Sequence, residues 1–223
     1  LKNENISRKK VHFVGNVMID SLVRYLVKIN FSTILSSIFS FKMLPQEERN
    51  LGLGDKLIVP DFILSTFHRP SNVDDLNILK ELILMLGSLE YPVIFPVHPR
   101  TRNNLELAGL LGYLPSNLIL TEPLGYIDFL ALIKNATLVI TDSGGIQEET
   151  TFLGVQCLTV RNNTERPVTV DLGTNQLIGT DFNMVKNAAR KVLSGKRKPG
   201  KIPELWDGKA ADRIVDVIVK TKF

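Results

Sequence analysis

Thr137-Leu138-Val139-Ile140-Thr141-Asp142-Ser143-Gly144-Gly145-Ile146-Gln147-Glu148-Glu149 runs from an apolar, β-branched segment through a turn of small residues into a helix-forming stretch. An uninterrupted apolar strand is what a parallel sheet requires when helices cover both of its faces. The turn carries chemistry of its own. The first N–H groups of a helix have no acceptor within it, and Gly144 and Gly145 let an anion approach them closely. Ser143 adds a hydroxyl donor. Glu149 lies further into the helix and aims a carboxylate back toward its start, where it suits the vicinal hydroxyls of a ribose better than a phosphate. The same residues also fit a plain tight turn with acids complementing the helix dipole, because glycine-rich strand-to-helix turns are common.

Outward from this segment the same alternation recurs. Strands are predicted over 57–67, 93–97, 117–120, 138–141 and 155–160, with a weaker one over 176–179. Helices are predicted over 73–89, 102–111, 126–134, 146–153, 184–193 and 210–220. Short β-branched runs separated by helical stretches are the sequence form of repeated βαβ units around a parallel sheet. Asn72, ahead of Val73, Asp74 and Asp75, is placed to cap the helix from 73, with the two aspartates against the positive end of its dipole. Residues 11–16 read as a short strand closing on a Gly-Asn turn before a helix over 17–30. That strand has no evident partner in the chain, which points to something missing upstream.

Composition sets the outer limits. The 223 residues are 44% hydrophobic and 22% charged, enough for a real core in a soluble protein of one large or two small domains. The net charge of +4, from 27 basic and 23 acidic residues spread along the chain, leaves no electrostatic footprint for nucleic acid. Lys196, Arg197, Lys198 and Lys201 stand among Gly195, Pro199 and Gly200 and read as a solvated loop rather than a polyanion patch. The single cysteine, Cys157, sits in an apolar run and reads as a small buried hydrophobe, with no disulfide to form within the chain. Residues 22–44 are apolar but broken by Arg24, Lys28 and Asn30, short of the ~20 continuous residues a membrane span needs. They read as an amphipathic helix followed by an apolar loop or second helix. Residues 1–10 are polar and carry no secretory signal, so a cytoplasmic protein, or an excised piece of one, is expected.

Three further clusters fall where strands end. His68 and Arg69 follow the first strand of the series, His98 follows the second, and Thr164-Glu165-Arg166-Pro167 follows the fifth. Ligands of open α/β sheets gather at those carboxyl ends, where histidine and arginine are well placed to meet phosphate. Read singly, each histidine also fits a structural hydrogen bonder, and Glu165 and Arg166 a decorated helix start.

In order along the chain, Val14-Gly15-Asn16 with Ile19-Asp20, His68-Arg69-Pro70 with Asn72, Pro96-Val97-His98-Pro99, Thr141 to Glu149, Thr164-Glu165-Arg166-Pro167 and Gly208-Lys209-Ala210 resemble the C-terminal half of the non-hydrolysing UDP-N-acetylglucosamine 2-epimerases. The resemblance covers nearly the whole chain. It implies an α/β fold, a Rossmann-like parallel sheet with helices on both faces, as the C-terminal domain of a two-domain GT-B-type architecture. Residues 1–16 would be an interdomain strand or linker remnant and 17–223 the UDP-binding domain, with the N-terminal domain absent.

The resemblance also implies roles. Ser143, Gly144 and Gly145 would hold the diphosphate, Glu149 the ribose and Phe129 the uracil side. Arg166 and His68 would approach the phosphates, His68 assisting departure of the diphosphate as the catalytic residue. Arg69 and His98 are the candidates for an allosteric UDP-sugar site. No metal and no cofactor is implied, and no nucleic-acid or membrane partner. The partners would be a UDP-sugar and the missing N-terminal domain, with a homodimer of the full-length protein left open and a place in cell-surface polysaccharide biosynthesis. Many relatives carry glutamate where this chain has Ser71, so no role transfers to that position. Two alternatives stay open: a hydrolysing 2-epimerase of the same fold, and a non-catalytic, truncated UDP-binding module.

Overall fold

The structure is a computed structural model that describes residues 6–39 and 59–221. In chain order the elements are α1 (Val17–Ile29), α2 (Ile34–Phe39), β1 (Ile63–Thr66), α3 (Pro70–Val73), α4 (Leu76–Gly87), β2 (Val93–Pro96), α5 (Pro99–Leu107), β3 (Leu118–Thr121), α6 (Tyr126–Asn135), β4 (Leu138–Thr141), α7 (Gly144–Leu153), β5 (Gln156–Thr159), α8 (Pro167–Asp171), β6 (Asn175–Leu177), α9 (Phe182–Leu193) and α10 (Ala210–Lys220). The strands form one parallel sheet in the order β3-β2-β1-β4-β5-β6. The order reverses between β1 and β4, and open α/β sheets place their ligands at that point.

Alternation along each buried strand divides the core in two. Ile63, Val93, Phe95, Leu138, Ile140 and Leu158 face one side, with Leu79, Leu82, Ile83 and Leu86 of α4, Leu105 of α5 and Val185, Ala189 and Val192 of α9. Leu64, Ile94 and Val139 face the other, with Phe39 of α2, Leu132 and Ile133 of α6 and Ile146 of α7. Both faces are therefore covered, which is why these strands carry no polar alternation. On α4 the buried positions 79, 82, 83 and 86 follow helical spacing. α1 lies outside the second layer, where Leu22 and Ile29 pack with Leu130 and Ala131 of α6. No described helix is long and apolar enough to cross a membrane.

Several expectations are corrected. Residues 11–16 are not a strand: they run as irregular chain after a single 3-10 turn at Arg8–Lys10. Val14 and Gly15 are tied to the C-terminal region instead of to a sheet edge. The Val14 carbonyl accepts from Arg213 at 3.2 Å, and a Cβ on Gly15, whose φ is +99°, would collide with the Leu205 carbonyl. Asp20 then caps α10, accepting from the amides of Ala210 at 3.0 Å and Ala211 at 2.7 Å.

The helix predicted over 73–89 is two helices. Its cap is Asp75, which accepts from Asn77 N at 2.8 Å and Ile78 N at 3.3 Å, whereas Asn72 is buried and used elsewhere. The first strand begins at Ile63, not 57, and residues 57 and 58 lie outside the described residues. The apolar segment 22–44 resolves into α1 and α2, with 40–44 outside the described residues. The basic run is not wholly solvated, for the Lys198 ammonium donates to the carbonyls of Val170 and Asn175. Cys157 is buried, and burial pushes its thiol up to about 11.

Candidate functional site

Thr66, Thr141 and Thr159 stand level across β1, β4 and β5, so the loops after these strands leave the sheet at one edge. Asp142 occupies the switch point and is completely buried. Its carboxylate accepts from the amide of His68 at 3.2 Å, the amide of Arg69 at 2.9 Å and Asn72 Nδ2 at 3.0 Å. His68 Nδ1 stands 3.2 Å from Oδ1, and Arg69 Nε donates to the Asp142 carbonyl at 3.0 Å. A buried carboxylate is tolerated only with such a set of donors. The consequence is positional: the loop after β1 is tied to the loop after β4, and the His68 ring stands beside the Asp142 carboxylate.

The cleft above this node, about 360 Å³, is lined by His68, His98, Phe129, Ser143, Gly145 and Glu149, together with Tyr126. Residues from the loops after β1 and β2, from α6 and from α7 therefore share one wall-to-wall space. The expected helix start at 146 moves forward, since Gly144 and Gly145 are the first two residues of α7. Ser143 is its N-cap but makes no side-chain capping bond, so it does not occupy the first-turn amides. A Cβ on Gly145 would meet nothing within 4 Å. The amide end of α7 is open toward the cleft and bordered by a hydroxyl, an arrangement suited to phosphate oxygens.

Positions four apart share a helix face. Gly145 and Glu149 form one stripe of α7 and face the cleft. Glu149 is only 6% exposed and accepts from the Tyr126 hydroxyl at 3.0 Å. Burial raises its carboxyl to about 6 and the neighbouring Glu148 charge adds to the rise, against the lowering effect of the Tyr126 hydrogen bond. Burial beside the Glu149 charge pushes the Tyr126 phenol above its ordinary range. Tyr126 also packs edge-on to Tyr25 of α1, with ring centroids 5.6 Å apart.

Gly144 and Glu148 form the adjacent stripe. Arg166 does not line the cleft; its Nε meets Glu148 Oε1 at 3.0 Å. The loop that carries it is fastened by Gln147, which accepts from Thr164 at 2.6 Å, and by the bidentate pair of Arg161 with Glu165, which holds the Glu165 carboxyl down at about 2. Arg69 is engaged with the Asp142 backbone, and His98 caps α5 by accepting from the Arg100 amide at 3.3 Å. Among the described residues no group of three or more His, Cys, Asp or Glu is gathered as a metal site.

Asp142, Tyr126 and Gln147 are the site residues that sequence reasoning left without a role, and Asn72, read as a helix cap, serves Asp142 instead. Asp142 and Gln147 lie inside the quoted segment, but only the strand order shows what they face. Tyr126 had no signal beyond its place at a helix start.

Comparison with known proteins shows the family and the fold. The family model for UDP-N-acetylglucosamine 2-epimerase matches residues 1–219. The UDP-N-acetylglucosamine 2-epimerase of Methanococcus maripaludis is 36% identical over 225 residues, covering 98% of this chain and 57% of that protein. The UDP-2,3-diacetamido-2,3-dideoxy-D-glucuronate 2-epimerase of Pseudomonas aeruginosa is 32% identical, covering 99% of this chain and 56% of that protein. The crystal structure of the Methanocaldococcus jannaschii UDP-GlcNAc 2-epimerase in complex with UDP-GlcNAc and UDP matches with a TM-score of 0.76 at 32% identity, over 99% of this chain and 57% of that one. The chain thus spans little more than half the length of the relatives it matches.

Proposed function

This chain belongs to the UDP-N-acetylglucosamine 2-epimerase family, and we propose that it is the UDP-binding, C-terminal half of a non-hydrolysing enzyme that interconverts UDP-N-acetylglucosamine and UDP-N-acetylmannosamine. The observation that carries this reading is the meeting, at the β1/β4 switch point, of an uncapped helix start with Glu149 on one side and His68 on the other. Ser143, Gly144 and Gly145 take the diphosphate through amide and hydroxyl donors. Glu149 accepts from the ribose hydroxyls, with Tyr126 holding the carboxylate in place and Phe129 offering a ring beside the base. Relatives named for different sugars share the UDP, which fits a half that reads the nucleotide and leaves the sugar to the rest of the enzyme.

The reaction that fits this division removes the proton at C2 of the sugar and breaks the C1–O bond to UDP, leaving a 2-acetamidoglucal. UDP then returns to C1 as a proton is delivered to C2 from the opposite face. His68 meets the charge that gathers on the leaving diphosphate, a role that its imidazole in the cleft lining, beside the buried Asp142, supports. The base for C2 belongs to an N-terminal domain joined through residues 1–16, with 17–223 as the nucleotide domain. Arg69 and His98, at the rim, are the residues such a domain and a regulatory UDP-sugar would meet, and the full-length enzyme works in the cytoplasm on precursors of cell-surface polysaccharide.

Titrating the chain with UDP, and incubating it with UDP-N-acetylglucosamine in deuterated water, tests both halves of the proposal. Saturable UDP binding with no deuterium at C2 is the expected pair of results. Deuterium incorporation would place the missing base within this chain, and absence of UDP binding would remove the nucleotide reading.

A further inference from the structure

Glu148 lines no part of the cleft, yet it is only 5% exposed. Its Oε1 receives two donors from distant parts of the chain: Asn16 Nδ2 at 2.8 Å and Arg166 Nε at 3.0 Å. Its Oε2 is buried and has no hydrogen-bond partner among the described residues. A buried carboxylate with both donors on one oxygen and none on the other is an unbalanced arrangement, because an unpaired buried acceptor is costly.

The two donors belong to different functional parts. Asn16 is the last residue before α1, at the end of the segment read above as the interdomain linker. It is held there by the clamp of Gly15 and Val14 against Leu205 and Arg213. Arg166 opens α8 and stands beside the stripe of α7 that begins at Gly144, one turn from the open helix amides.

We propose that Glu148 is a positioning residue that transmits the state of the linker at Asn16 to Arg166, and through it to the nucleotide phosphates. The free Oε2 supplies the means. With Asn16 in place, one oxygen is shared and Arg166 meets the carboxylate through Nε alone; its Nη1 rests on the Glu165 carbonyl at 3.3 Å and its Nη2 is left for a phosphate. When Asn16 is withdrawn, the carboxylate turns to grip the guanidinium with both oxygens, the pairing arginine geometry favours. Arg166 is then drawn toward α7, and UDP binding weakens. A linker displaced by domain opening would in this way loosen the nucleotide. The inference rests on two readings that the family resemblance implies: Arg166, which stands outside the cleft in the free chain, reaches the phosphates of a bound nucleotide, and residues 1–16 are the interdomain linker.

Asn16 also caps α1, its Oδ1 accepting from Met18 N at 2.9 Å. Serine at this position keeps a good cap but is too short to reach Glu148. UDP affinity is measured by calorimetry on the 223-residue chain for wild type, Asn16→Ser, Asn16→Asp, Glu148→Gln, the Asn16→Ser/Glu148→Gln double variant and Arg166→Ala. Arg166→Ala is expected to weaken binding about tenfold or more, and Asn16→Ser roughly three- to tenfold, the size of one charged hydrogen bond. Asn16→Asp, which keeps the cap and opposes two carboxylates, is expected to weaken it in the same direction. In the Glu148→Gln background Asn16→Ser should add nothing. The relay is overturned if Arg166→Ala is impaired while both Asn16 variants bind as wild type, or if the Asn16→Ser and Glu148→Gln effects simply multiply. Wild-type affinity in Arg166→Ala would overturn the phosphate role of Arg166, and the relay with it.

Discussion

Replacing Glu149 by Gln should make the free protein more stable and the nucleotide complex weaker. The folded-state value of about 6 lies above the ordinary 4.5, and burial is the larger cause. Below pH 4.5 the carboxyl is protonated in both folded and unfolded chains and contributes no difference. As pH rises from 4.5 to about 6 the unfolded chain ionises first, so stability is lost across that window and stays lost at neutral pH. A rise of this size corresponds to about 2 kcal/mol. Glutamine fills the same space, still accepts from Tyr126 and carries no charge to desolvate. Its variant should melt on the order of 4–8 °C above wild type at pH 7.5, with the gap closing toward pH 4.5. The ribose contact moves the other way. Hydrogen bonds to a charged acceptor contribute about 1.5–3 kcal/mol, so UDP should bind roughly ten- to a hundredfold more weakly to the variant. The preference of wild type for UDP over 2′-deoxy-UDP should largely disappear. Thermal melts without nucleotide and calorimetric titration with both nucleotides measure the two arms. A variant that is no more stable than wild type at pH 7.5, or that keeps the full preference for the ribose, refutes the reasoning.

Other consequences are as direct. Wild-type affinity for UDP should fall as pH drops through about 6, where Glu149 takes up its proton, and Glu149→Gln should lack that component of the profile in parallel titrations. Asp142→Ala leaves the amides of His68 and Arg69 and the Asn72 side chain without their acceptor; a loss of roughly 3–5 kcal/mol is expected in urea unfolding. Unfolding at wild-type denaturant concentration would deny Asp142 its organising role. Gly15→Ala should destabilise by about 1–3 kcal/mol, since φ is +99° and the Leu205 carbonyl fills the space a methyl would need, and an unchanged melting temperature would show that the linker clamp is not tight.

The fold was legible where strand and helix composition left no competitor. The segments 138–141 and 210–220 form elements with those bounds because β-branched residues and a clean amphipathic pattern meet no conflicting signal there. The lone strand over 11–16 failed because apolar residues can also be held by side-chain and carbonyl ties to a distant helix, and Arg213 is 199 residues from Val14. Asn72 was assigned as a cap from its neighbours, but a buried carboxylate 70 residues away claims its amide. Separation along the chain also hid Asp142 and Tyr126, the latter 23 residues from Glu149. Their meaning depends on β1 lying beside β4 and on α6 crossing near α7, and neither adjacency is written in local sequence. Ser143, Gly145, Glu149, His68 and His98 share the cleft, and sequence singled them out by residue type and by closeness to a strand end or helix start; Phe129, which also lines it, was named only through the family resemblance. Arg166 was singled out in the same way but stands outside the cleft, paired with Glu148, which sequence left without a role.

The central claim, that this chain carries a UDP site at the start of α7, is tested most directly by titrating UDP against wild type and Gly145→Val. A Cβ at 145 meets nothing within 4 Å, and valine is no worse a helix former than glycine, so the variant should fold and melt like wild type. Its methyl groups would stand where the phosphate oxygens approach. The account predicts saturable one-to-one binding of UDP to wild type and its loss in the folded variant. Equal binding by both proteins, or none by either, would contradict it.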